Sequence, residues 1–326
     1  MNKTLKKGLL IYNATDYEKN KWFAHQLISK APNFGLELSL LLRENLILTI
    51  EEGQFLASIM PELSPSDNLR DASPLHCPDL SPSDEISPSK TFILSQNCKL
   101  SPGAVDFVIN RTRDSLIATH FEQMGCKVFN NSKVTEICNH KGKTHQLINH
   151  AHIPSVKTLL GNIHYFNPNQ VPFAYPLILK TVSGHGGDEI YKIYNQTELT
   201  NCLHTLRTED FVLQELCTNP GIDIRVFTLG KEILAAVKRT SNKSFKSNYS
   251  LGGTATAYKL QPSEEALVKK ILSLMDFDLV GIDFILNKEG QFLFNEIEDV
   301  VGTRTLYLNY DLDVILLLLK YISSHL

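Results

Sequence analysis

Three acidic residues near the end of the chain carry the clearest chemical signal: Asp283 in GIDF, and Glu296 and Glu298 in NEIE. Successive side chains of a strand alternate faces, so Glu296 and Glu298 point the same way. Asp283 lies in the apolar run just before them, and a hairpin sets it beside them when the register cooperates. Three carboxylates on one face repel one another unless a cation neutralises them. Oxygen donors without His or Cys favour Mg²⁺ or Mn²⁺ over zinc. The alternative is a solvated acidic strand face.

A second group centres on Lys180, which closes the apolar run LILK and is followed by Gly184, Gly186 and Gly187 in SGHGGDE. Glycines let backbone N–H groups approach phosphate oxygens, and a lysine adds compensating charge. The segment is neither a Walker loop nor a GxGxxG turn opening a helix. A plain glycine hairpin accounts for it equally well. A third group is cationic: Arg225 in GIDIRVF, then Lys238 and Arg239 in AAVKR. Arg225 and Arg239 fall on successive strands of one hairpin, and a guanidinium fork suits carboxylate or phosphate. The polar stretch TSNKSFKSNYSLGG follows, where Asn248 and Gly252-Gly253 suit close wrapping of a ligand. An exposed cationic strand with a polar loop is the alternative.

These residues need elements to position them. GLLIYN (8–13) reads as a buried strand, then a helix with Trp22, Phe23, Leu27 and Ile28 on one stripe and Asp16 as N-cap, then a strand at Leu36–Leu42. That β-α-β opening indicates a parallel sheet. VDFVIN (105–110), a helix over 113–124 and a short strand at 127–129 close the N-terminal unit. KGKTHQLINHAHIP is a helix stopped by Pro154, and its histidines read as surface residues. Strands follow in YPLILKTV, EIYKIY and FVLQEL, with a helix before the last. Hairpins are expected around Gly230-Lys231 and around Lys288-Glu289-Gly290, with helices over 262–276 and 311–324. The fold class is α/β and α+β: a parallel domain at 1–135, then antiparallel strand pairs with helices between them over 136–326. Between residues 61 and 103 lies a Ser/Pro-rich segment that repeats SPSD and cannot bury a face, so a surface loop is expected there.

Composition narrows the function. A chain of 326 residues accommodates about two domains. The net charge of −3 gives no basic excess for nucleic acid or an anionic membrane. No apolar run approaches the ~18 residues that span a bilayer; the run Val314–Leu319 is far shorter. The start, MNKTLKKGLLIYNATDYEKN, lacks a cleavage site and reads as a first strand rather than a signal peptide. The six cysteines include no C-x-x-C pair, which fits reduced thiols and a cytoplasmic location. Cys126, Cys138 and His140 lack the close ligand pairs of a zinc site and read as ordinary thiols and a histidine.

Taken in order, VDFVINR, CNHKGKTHQL, LILKTVSGHGGDEI, VLQEL, DIRVFTLGKEILAAVKR, FKSN, GIDF and NEIE make a succession that resembles the ATP-grasp superfamily, most closely its RimK-type carboxylate–amine ligases. The likeness runs from about residue 105 to the end. It implies an ATP-grasp fold with a lid subdomain near 154–213, and ATP with Mg²⁺ or Mn²⁺ as cofactors. Lys141 and Lys180 match lysines on the ATP phosphates, beneath the Gly184, Gly186 and Gly187 loop. Gln214, Glu215 and Leu216 match the adenine hinge, and Asp223 the acid near the ribose. Lys238 joins the ATP set. Arg225 and Arg239 match arginines near the transferred phosphate and the substrate carboxylate, and with Lys180 form the catalytic set. Asn248 and Arg111 match substrate-side residues, while Asp283 and Glu296, joined by Glu298, match the metal ligands.

The chain departs from that pattern at His140, where the family has Asp, at Glu298, where it has Asn, and in DVVGTRTLY, where a Ser-Pro-Gly-like turn is usual. Arg304 in that stretch reads either as a clamp for a substrate carboxylate or as an exposed arginine starting a helix. The implied reaction phosphorylates a carboxylate with ATP and joins it to an amine of a small molecule or peptide. A phosphotransferase and a non-catalytic ATP-binding module are the alternatives. A homo-oligomer is left open, and no nucleic acid or membrane partner is expected.

Overall fold

The computed structural model describes residues 5–60, 98–185, 189–241 and 253–326. The chain forms two compact units, one of Met1–Thr112, Leu116–Val128 and Ile322–Leu326, the other of Arg113–Ser115 and Phe129–Tyr321. No helix among the described residues is long and apolar enough to cross a membrane.

The first unit opens with β1 (Lys6–Tyr12), α1 (Ala14–Lys30) and β2 (Leu36–Leu42). Strand β1 pairs in parallel with β2, as the β-α-β pattern implies. The cap of α1 is Asn13 rather than the expected Asp16: the Asn13 side chain accepts from the Asp16 backbone N–H at 2.7 Å. An Asx side chain caps a donor two or three residues ahead, so Asp16 supplies the donor. Next come β3 (Leu46–Glu51) and β4 (Gln54–Ile59), an antiparallel hairpin outside the sequence expectations. Residues 61–97, most of the Ser/Pro-rich segment, lie outside the described residues. Its tail is not loop: β5 (Cys98–Leu100) pairs with β4 and buries Leu100. After it come β6 (Phe107–Asn110), α2 (Ser115–Gln123) and β7 (Lys127–Phe129), and the main sheet runs β2-β1-β6-β7.

The second unit holds α3 (Ser132–Cys138) and α4 (Lys141–His150), then β8 (Thr158–Asn162), β9 (Leu177–Thr181), β10 (Ile190–Ile193), α5 (Gln196–Leu203) and β11 (Asp210–Glu215). These strands form an antiparallel sheet ordered β10-β9-β11-β8, with Leu177, Leu179, Leu199, Phe211 and Leu213 as its core. The rest comprises β12 (Ile222–Leu229), β13 (Glu232–Thr240), β14 (Thr254–Tyr258), α6 (Pro262–Leu272), β15 (Leu279–Leu286), β16 (Phe292–Glu298), α7 (Arg304–Asn309) and α8 (Val314–Ser324). The expected final helix is α8, with α7 an additional short helix ahead of it, and α6 stops four residues short of its expected end at 276. The second sheet is ordered β14-β13-β12-β15-β16. Both expected hairpins form, β12–β13 and β15–β16, with Gly290 supplying the positive φ of +77° at the second turn.

One irregularity in this sheet decides where the acids point. Asp283 pairs with Glu296, but Phe284 pairs with Phe294, so Asn295 is an extra residue in β16. Strict alternation would place Glu296 and Glu298 on the same face as Phe292 and Phe294. The bulge reverses the phase. Phe292, Phe294 and Ile297 all join the core built on α3, α4 and α6, and both glutamates turn to the opposite face. On that core side Phe284 stacks on Phe292 with ring centroids 4.5 Å apart. We expect Phe284→Ala to cost about 3–5 kcal/mol of unfolding free energy, read as a lowered midpoint in urea denaturation.

Candidate active site

Register brings the site together. Asp283 on β15 lies between Arg225 of β12 and Glu296 of β16, and Glu298 lies opposite Gly281. One carboxylate oxygen each from Asp283, Glu296 and Glu298 falls within 4.8 Å of the others. Arg225 crosses the space above Gly281, where a side chain would meet it: a Cβ there would sit 3.4 Å from Arg225 Cδ and 2.6 Å from Val301 Cγ2. Its Nε and Nη2 donate to the two oxygens of Asp283 at 2.7 and 2.6 Å. Nη2 also reaches Glu298 at 2.5 Å. Arg239 forks onto Asp223 at 2.7 and 2.6 Å and donates to Asp283 Oδ2 at 2.7 Å. Asp223, Arg225, Arg239 and Asp283 are all buried.

The lysines meet the same acids. Lys141, at the first position of α4, lies 3.8 Å from Glu296 and donates to the Gly184 carbonyl. Lys180 of β9 is buried and donates to Asn295 Oδ1 at 2.9 Å. The bulge residue thus carries the lysine while its neighbour Glu296 faces the other two acids. Helix α4 starts here because His140 caps it, its Nδ1 accepting from the Lys143 backbone N–H at 3.2 Å.

Electrostatics follow from burial. Burial pushes the Lys180 ammonium down to about 8, with nearby Glu296 opposing and Lys141 reinforcing the shift. Burial alone would raise the Asp283 carboxyl, but Arg225 and Arg239 outweigh it and hold it well below the usual carboxylate range. Burial pushes the Glu298 carboxyl up, Arg225 opposes, and Asp283 and Glu296 add to the rise.

The donor set fits a hard divalent cation. It offers only oxygen, the donor Mg²⁺ takes from carboxylates and substrate phosphates. A carboxylate has about four acceptor positions; the arginines take three on Asp283, which leaves one directed elsewhere.

Other expected residues are placed differently. The Gln214 amide nitrogen is committed to His145 Nε2 at 2.8 Å and Thr158 Oγ1 at 2.9 Å, and its backbone pairs with Thr158 of β8 on one side and Ile178 of β9 on the other. The Glu215 carboxylate pairs with Lys157 at 3.1 Å, and half-buried Leu216 follows the strand. Both oxygens of Asp223 are taken by Arg239. Lys238 pairs with Ile224 and Thr256, and alternation turns it to the face opposite Arg239. Arg111 belongs to the first unit, where its guanidinium covers the Phe23 ring at 5.2 Å. Arg304 is exposed as the first residue of α7. Gly186, Gly187 and Asn248 lie outside the described residues.

Two residues escaped sequence reasoning, Asn295 and His145. The sequence places the histidine on the surface, but it is buried. Its spacing of three from buried Ile148 on α4 was the available signal. Asn295 gave none, because a bulge has no residue signature in FLFNEIE.

Residues 138–322 match the RimK-like ATP-grasp domain. The alpha-aminoadipate–LysW ligase LysX of Sulfurisphaera tokodaii is 27% identical over 61% of this chain and 75% of its own length. An uncharacterised protein of Mycoplasma genitalium is 29% identical over 62% of this chain and 75% of its own. Among solved structures, D-alanyl-alanine synthetase A of Vibrio cholerae superposes with a TM-score of 0.65 at 12% identity, covering 99% of both chains. The fold and the site define an ATP-grasp protein. The chain belongs to the RimK-like ATP-grasp family, whose members carry out ATP-dependent carboxylate–amine ligation with Mg²⁺.

The arginine contacts also set an acid dependence. Because Asp283 is held below its ordinary pKa in the fold, its contribution is complete above the usual carboxylate range and is lost as pH falls below it. We therefore expect the drop in the wild-type urea midpoint between pH 7 and pH 3 to exceed the drop in Asp283→Asn, measured by circular dichroism.

Proposed function

We propose that this chain is an ATP-dependent ligase that activates a carboxylate as an acyl phosphate and joins it to an amine, releasing ADP and phosphate. The observation that carries this reading is the convergence of Asp283, Glu296 and Glu298 within 4.8 Å, with Lys141 and Lys180 at the same strand end. Carboxylates that serve only an internal ion-pair network need no third member at its edge. A triphosphate–metal site does.

A carboxylate is a poor electrophile, because oxide would have to leave. Attack of its oxygen on the γ-phosphorus expels ADP and installs a phosphate leaving group. The amine then attacks the acyl carbon, phosphate departs and the amine proton passes to solvent. Catalysis of such a transfer is mostly alignment and charge stabilisation. Lys141 and Lys180 hold the phosphates, and Asn295 keeps the Lys180 ammonium pointed along the sheet. Arg225 and Arg239 hold positive charge where the transferred group and the substrate carboxylate meet. The backbone where β11 ends, at Glu215 and Leu216, provides the adenine contacts. Asp283, Glu296 and Glu298 would hold Mg²⁺, which supplies Lewis-acid stabilisation of the phosphoryl oxygens when bound.

Residues 136–326 make the ATP-grasp domain in this reading, with 154–213 as the segment that covers the phosphates. Small amino acids and peptides are the substrate classes to screen. Arg304, exposed and at a helix start, is the substrate-side cation that the DVVGTR stretch contributes. We expect Glu296→Gln to lower carboxylate-dependent ADP release by about 10²–10³, with an unchanged circular dichroism spectrum. Full turnover by that variant would overturn the metal assignment. Mass spectrometry of the product separates the readings: an amide supports the ligase, and a phosphorylated acceptor alone identifies a phosphotransferase. ATP binding without turnover across a broad panel of carboxylates and amines identifies a binding module.

A further inference from the structure

His145 lies on α4, between a strand of each sheet of the second unit. Its helix, α4, packs against both β11 and β16. The ring is buried, 3% exposed, and stands edge-on to Phe294 with centroids 5.5 Å apart. On the β11 side the Gln214 amide nitrogen is 2.8 Å from Nε2. An amide nitrogen only donates, so Nε2 is the acceptor and the neutral ring carries its proton on Nδ1. On the β16 side the ring rests on Phe294, next to Asn295, the bulge residue whose side chain holds Lys180 at 2.9 Å, while Nδ1 lies 3.5 Å from Thr158 Oγ1 of β8. Burial pushes the imidazole down to about 4, and Lys180 and Lys141 push the same way, so the acceptor nitrogen persists at neutral pH.

We propose that His145 is a positioning residue that ties the adenine-contacting end of β11 to the bulge of β16, so that the hinge backbone, Lys180 and Glu296 hold one spacing. The inference rests on the nucleotide-site reading above and deepens it. The imidazole stands between the Gln214 amide of β11 and the Phe294 ring of β16, a rigid spacer between the two strands. Its consequence is cooperativity within a single ligand. Adenine and the phosphates bind to parts whose separation His145 sets, so its loss should fall hardest on a ligand that spans both.

The test uses the full chain and three probes in the presence of Mg²⁺: adenylyl imidodiphosphate, AMP and inorganic tripolyphosphate, each titrated calorimetrically. His145→Phe keeps the ring against Phe294 and removes both nitrogens. Loss of one buried hydrogen-bonded link predicts adenylyl imidodiphosphate binding weakened about tenfold, with AMP and tripolyphosphate each changed by less than about threefold. His145→Gln restores an acceptor and should recover most of the affinity. Equal weakening of all three probes, or none, overturns the proposal, since a merely structural residue would not discriminate among them. If His145→Phe does not fold, Gln214→Leu removes the same link from the other side and must show the same selective loss, or the proposal fails. Should the wild type itself not bind adenylyl imidodiphosphate, the nucleotide-site reading fails and this inference with it. Wild-type binding with an unselective variant overturns this inference alone.

Discussion

A chain of alternating charges, Asp223–Arg239–Asp283–Arg225–Glu298, buried up to its half-buried last member, is the constraint around which the second unit is organised. Each of these groups left alone in a core would cost several kcal/mol. Strung together at 2.5–2.7 Å, each satisfies its neighbours. The chain fixes β12, β13, β15 and β16 laterally, because a slip of one residue in any pair would strand a charge among Ile224, Ile282 and Phe284. It also sets the electrostatics of the face. Asp223, Asp283, Glu296 and Glu298 are matched in number by Arg225, Arg239, Lys141 and Lys180, so the face is neutral as a whole while remaining strongly polarised. Glu298, where the resemblance expects Asn, is absorbed by this balance through Arg225.

Polar and apolar demands on β16 conflict, and the Asn295 bulge resolves the conflict. Phe292 and Phe294 must reach the same core that Ile297 reaches, yet Glu296 and Glu298 must leave it. No regular strand does both. The extra residue meets both demands, and its freed side chain accepts from Lys180. One backbone irregularity therefore links packing of the core to placement of the phosphate lysine.

Much of the arrangement was legible in the residues. The hairpins around Gly230 and Gly290, the parallel opening, and the shared face of Glu296 and Glu298 follow from period-2 alternation and turn chemistry, which are local. Departure from local reasoning explains each difference. The resemblance makes Asp223 a ligand-facing acid, but its cross-strand partner is Arg239, a pairing set by register. Sequence adjacency groups Lys238 with Arg239, although adjacent strand residues face opposite ways. Arg111 packs on Phe23, nearly 90 positions away in the chain. The β3–β4 hairpin escaped because its strands alternate weakly: β3 leaves Ile47 and Ile50 exposed. At position 140, where the resemblance expects Asp, the imidazole caps α4 through Nδ1.

Residue types and their order determined on their own that this chain pairs acids with a lysine–glycine segment and arginine-bearing strands, because those are properties of local spacing. Which acids stay available, which are consumed by arginines, and how a histidine bridges two sheets were decided by the tertiary structure. The physical reason is that a charge or an imidazole in the interior takes its meaning from partners far away in the chain. Those partners are chosen by strand register and one bulge, neither of which is written in any short stretch of sequence.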